Sequence, residues 1–65
     1  MNLIKEKLRL TGKSQSWLAQ KIGITRQHLN RIVKERQVPL LPTAMKISLA
    51  LKCAVEEVFK YPEED

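Results

Sequence analysis

The stretch that most restricts what this chain can fold into runs from Gln15 to Ile32 and reads QSWLAQKIGITRQHLNRI. Leu18, Ala19 and Ile22 recur at the spacing of one helical face, and Leu29 and Ile32 take up that face again after Gly23. Two short helical patterns meeting at a glycine predict a helix, a tight turn and a second helix. The corner residues support one another. Ala19 is small enough for two helices to cross closely, Gly23 tolerates the positive φ that ends a helix, and Thr25 offers an oxygen to cap the next. Ile24, between them, is placed to plug the apolar corner.

With 65 residues the chain makes a single domain spanning 1–65. A domain of this size buries only about 60% of the surface its unfolded chain exposes, so nearly every apolar residue is needed inside. One cysteine, Cys53, excludes an internal disulfide and reads as a small core residue; one Cys with one His does not supply a metal site. Stability must therefore come from helix packing. No signal region opens the sequence and no apolar run nears the roughly 18 residues a bilayer requires, so a cytoplasmic protein is expected.

Around the central stretch the remaining helices are predicted by the same signals. Asn2 is a cap for a first helix carrying Leu3, Ile4, Leu8 and Leu10 or Thr11 before Gly12 stops it, with Lys5, Lys7 and Arg9 on a solvated or phosphate-facing outer side. Ser14 caps the second helix, and Trp17 on its flank is expected to be partly buried. The third helix is placed at about 26–34, its inner face Leu29, Ile32 and Val33. After a polar loop from Lys34 to Gln37, Pro42 fits the first turn of a fourth helix running to about Leu51, with Ala44, Met45, Ile47, Ser48 and Leu51 as packing positions. A last helix begins near Val55, Glu56 and Glu57 suit its positive end, and Val58 and Phe59 face the core. The ordered core is expected over about 2–61, with the acidic 62–65 frayed.

Charge is unevenly spread. The net charge is +5, but residues 1–52 hold eleven lysines and arginines against Glu6 and Glu35, a net +9, while Lys60 faces five acids in the remainder, a net −4. A concentrated positive surface suits a polyanion, and nucleic acid is the usual one. The outward face of the third helix carries Arg26, Gln27, His28, Asn30 and Arg31. Arginine can fork onto guanine O6 and N7, and Gln or Asn can pair with adenine N6 and N7, so this face holds the residue types that read base edges. Lys34 and Arg36 are placed for flanking phosphates.

The order Leu18-Ala19, Gly23, Leu29, Ile32 resembles the helix-turn-helix of the phage repressor and Cro (XRE) class. Nearly the whole chain shares the likeness: Pro39, Lys46-Ile47-Ser48 and Ala50-Leu51 match the pattern of its fourth helix, with Ser in place of Ala. The resemblance implies an all-α, five-helix lambda-repressor-like domain whose helices 2 and 3 form the motif. It implies that Ser14 and Gln15, with the N–H groups of their helix start and Thr25 at the next, hold phosphates, and that Arg26, Gln27, Asn30 and Arg31 reach bases with His28 beside them. One departure stands out: members have Glu, any residue, then Gly after helix 3, where this chain has Val33, Lys34 and Glu35, which leaves a longer helix or a different turn open.

The resemblance and the polar face together imply a sequence-specific regulator of transcription binding double-stranded DNA as a homodimer, in solution or only on DNA. Its expected action is repression by blocking polymerase, with activation as the alternative and a phage or mobile element as the setting by analogy. Dimer candidates are Val38, Leu40, Leu41, Phe59 and Tyr61, where resembling dimers meet; Leu41 and Phe59 are equally core candidates. No cofactor, metal, small-molecule ligand or membrane is implied. The competing reading is a protein-binding module such as an antitoxin-like partner. An enzyme is not expected, since nucleophile–base pairs are missing and the chain is too short to enclose a pocket.

Overall fold

A computed structural model describes residues 2–59. Helices α1 (Ile4–Thr11), α2 (Gln15–Ile22) and α3 (Arg26–Val33) precede a loop, a longer α4 (Leu41–Ala50) and a single turn, α5 (Val55–Val58). Helices of eight residues are marginal in isolation. Their persistence depends on packing: α2 lies against both α3 and α4, and α4 against α5.

The helix ends are made by left-handed residues. Gly12 (φ 71°) closes α1 and Gly23 (φ 80°) closes α2, as the glycines predict. After α3 that conformation falls on Glu35 (φ 61°), and after α4 on Lys52 (φ 57°). Glu35 N–H donates to the Ile32 carbonyl at 3.0 Å and Arg36 N–H to the Arg31 carbonyl at 2.9 Å; Lys52 to Leu49 (3.1 Å) and Cys53 to Ser48 (2.9 Å) repeat the pattern. Both are Schellman closures, which satisfy the last carbonyls of a helix. Without a glycine after α3, the chain neither lengthens the helix past Val33 nor loses the left-handed closure. The left-handed turn is retained by a residue with a Cβ, at a cost of about 1–2 kcal/mol. The helix ends at Val33 with Lys34 as its cap, one residue earlier than expected.

The core draws on every helix. Ile4 and Leu8, Leu18 and Ala19, Leu29 and Ile32, Ala44 and Ile47, then Leu51, Val58 and Phe59 are buried together, with Trp17, Ile22, Ile24, Val33 and Cys53 packed on its rim. Ser48 is buried among them because its hydroxyl donates to the Ala44 carbonyl at 2.9 Å, so the Ser-for-Ala difference leaves no polar group unsatisfied.

Four expectations are corrected. Asn2 is not the cap of α1: Leu3 holds that position, while Asn2 accepts from Ile4 N–H at 3.3 Å and donates Nδ2–H to the Ile32 carbonyl at 2.9 Å. With Leu3 N–H bonded to the Val58 carbonyl (2.7 Å) and the Asn2–Phe59 bridge, it fastens the two ends of the fold to the end of α3. Leu10 lies outside the core face at 66% exposure, and Met45 outside the packing face at 48%. Phe59, a dimer candidate, is buried in the protomer's own core and is unavailable to a partner. Leu41, by contrast, is exposed with Val38 and Leu40, so its core alternative is not realised. Tyr61 and the acidic 62–65 lie outside the described residues. Among the described residues no helix is long and apolar enough to cross a membrane.

Candidate nucleic-acid interface

Two capped helix starts organise the polar surface. Ser14, extended at φ −102° and ψ 164°, accepts from Trp17 N–H at 3.0 Å; Thr25, at φ −75° and ψ 156°, accepts from His28 N–H at 3.0 Å. Each cap meets one of the first-turn donors. The N–H groups of Gln15 and Ser16, and of Arg26 and Gln27, have no acceptor within their helices and carry the positive end of the helix dipole. Lys13, just before Ser14, stands over the Trp17 ring with Nζ 5.3 Å from its centroid, while the indole is half-buried as expected.

The outward face of α3 is a shallow, open concavity lined by Arg26, Gln27, Asn30 and Arg31. These four recur at i, i+3 and i+4 spacing, so one strip of helix surface carries them all. Two guanidiniums and two carboxamides line it, with no carboxylate. Asn30 is half-buried and donates Nδ2–H to Gln15 Oε1 at 3.4 Å, which ties the start of α2 to the exposed face of α3. His28 does not line the concavity. It sits half-buried on the flank, its Nε2 3.3 Å from Gln37 Nε2, and Gln37 Oε1 accepts from Arg31 Nε at 3.1 Å.

Of the other expected residues, Gln15 contacts this surface directly through Asn30. Ser14, Gln15 and Thr25 stand at the helix starts, and exposed Lys34 and Arg36 at the turn closing α3. The structure thus brings Arg26, Gln27, Asn30 and Arg31 together with Gln15 on one surface, with His28 on its flank. Two features escaped sequence reasoning. Gln37 had no local signal, because its contacts are made by chain reversal after α3. Leu49, 74% exposed, continues a stripe from Leu41 through Met45, and their spacing of four was a legible signal. Among the described residues no group of three His, Cys, Asp or Glu side chains is arranged to hold a metal.

A family model described as helix-turn-helix matches residues 4–58, and the chain belongs to that family. The resemblance carried by Leu18 to Ile32 is therefore real, as is the five-helix fold it implied. The family is one of DNA-binding modules, not of enzymes. The chain is also 39% identical over 64 residues to the uncharacterized HTH-type transcriptional regulator YgzD of Bacillus subtilis (strain 168), an alignment covering 98% of this chain and 97% of the relative.

Proposed function

We propose that this chain is a single-domain, cytoplasmic transcriptional regulator of the repressor and Cro type that reads double-stranded DNA by laying α3 in the major groove. The observation that carries the reading is the concavity on α3. Arg26, Gln27, Asn30 and Arg31 line it without a carboxylate, and Asn30 joins it to Gln15 at the capped start of α2. A phosphate at each start would meet fixed donors and a partial positive charge, which sets the register in which the face meets base edges. Arg26 and Arg31 suit guanine, and Gln27 suits adenine, each good pair giving roughly 1–3 kcal/mol of discrimination. Asn30 reads bases from its place against Gln15, and His28 contributes from the flank. Ser14, Gln15, Thr25, Lys34 and Arg36 hold the backbone.

The partner surface is the stripe of Leu41, Met45 and Leu49 on α4, extended by Val38 and Leu40 at its start. At 1.5 Å per residue it runs about 12 Å along the helix. Exposed apolar surface of this kind marks an interaction site, and a second copy fits the two-fold symmetry of half-sites about 34 Å apart. So short a stripe makes a weak free dimer that pairs chiefly on DNA. Such a protein represses by occupying a promoter, in the manner of phage and mobile-element regulators it resembles.

Selection of duplexes from a random pool at about physiological salt tests this directly. An enriched inverted repeat is the expected result. A single unrepeated motif would retain the DNA reading and remove the dimer, and folded protein that enriches nothing would overturn the whole reading in favour of a protein-binding module.

A further inference from the structure

Gln37 lies beyond the helix-turn-helix, in the segment between α3 and α4, yet it touches two side chains of α3 at once. A guanidinium carries only donors, so the carboxamide oxygen must face Arg31, and the amide nitrogen is left to donate to His28 Nε2. Both polar ends of one side chain are thereby committed to the helix. Arg31 and Gln37 are exposed, and no core packing restrains the arginine. The left-handed turn at Glu35 makes the contact possible, because it reverses the chain and returns Gln37 alongside the helix it has just left.

We propose that Gln37 is a positioning residue for base recognition, holding Arg31 in one orientation before DNA arrives and so setting which base pair that arginine prefers. The inference rests on the DNA reading above. Pinning Nε–H to Gln37 closes the side-on fork of the guanidinium, which would use Nε and one terminal nitrogen. It leaves the end-on fork, the two terminal nitrogens together, to meet paired acceptors such as guanine O6 and N7. Ordering a long, rotamer-rich side chain on binding opposes association, and an orientation held in the free protein removes part of that cost, equivalent to about three- to tenfold in affinity.

The test is Gln37→Met, which keeps the length of the side chain and removes its donors and its carbonyl acceptor. Affinity for the selected site and for each single base-pair variant of it is measured for wild type, Gln37→Met, Arg31→Ala and the double variant. We expect Gln37→Met to weaken the selected site about three- to tenfold. It should flatten preference at the base pair that Arg31→Ala also flattens, leave other positions unchanged and add nothing in the Arg31→Ala background. Equal loss on all sequences, or losses that add, would overturn the proposal and make Gln37 a phosphate contact or a structural residue. In the free protein, the NMR shift of Arg31 Nε–H should move in Gln37→Met; an unmoved signal overturns the tether whatever the DNA does. Wild-type protein that selects no sequence would remove the DNA reading and this inference with it, whereas normal selection with unchanged Gln37→Met preferences removes the inference alone.

Discussion

The left-handed helix ends allow a paired prediction, Gly23→Ala against Lys52→Gly. Gly23 sits at φ 80°, and a Cβ built on it meets no atom within 4 Å, so alanine there collides with nothing and its whole effect is conformational. Placing an L-residue in this region costs about 1–2 kcal/mol. Alanine recovers about 0.4–1 kcal/mol by narrowing the unfolded ensemble. The difference is a net loss between about 0 and about 1.6 kcal/mol, centred on about 0.8, and in a domain of this size each kcal/mol lowers the melting temperature by roughly 4–8 °C. Lys52 holds the same conformation at φ 57° in the turn that closes α4, so Lys52→Gly reverses both terms and should stabilise by the same amount, about 0.8 kcal/mol. Urea and thermal denaturation followed by circular dichroism read both. If Gly23→Ala raises stability or Lys52→Gly lowers it, left-handed backbone is not the cost at these turns and the reasoning fails.

Three further outcomes are expected. Ile47→Ala or Leu29→Ala, each fully buried, should cost about 2–5 kcal/mol, a large share of the roughly 3–10 kcal/mol such a chain possesses, and shift the urea midpoint accordingly. Lys34→Ala or Arg36→Ala should weaken binding to every duplex alike and reduce the slope of log affinity against log salt by about 0.9 for each lost phosphate contact; an unchanged slope takes the residue off the interface. Leu49→Glu, on the exposed stripe, should leave free-protein stability within about 0.5 kcal/mol and single half-site binding intact while removing cooperativity on an inverted repeat, and retained cooperativity would place the dimer contact elsewhere.

Much of this fold was legible because its signals are local. Ser14 and Thr25 cap through hydrogen bonds that span three residues, and Gly12 and Gly23 end helices through their own φ, so neither depends on what lies across the fold. The face of Leu18, Ala19, Leu29 and Ile32 was equally readable, since helical period alone gathers them on one side. Period specifies a side but not how wide an arc its neighbours will cover. That arc is why Met45 and Leu10 fell outside the core although their spacing admitted them, and why Phe59 rather than Leu41 was buried.

The amino-acid sequence by itself determined the motif, its caps and the polar residue types on α3. The tertiary structure alone decided that Glu35 would take a left-handed turn usually left to glycine, because the two hydrogen bonds of the closure it completes offset a local cost of about 1–2 kcal/mol. It also decided that Asn2 would bind the end of α3 and that Gln37 would return to hold Arg31. Those contacts join residues whose proximity exists only after the chain has reversed, so no window of sequence contains them.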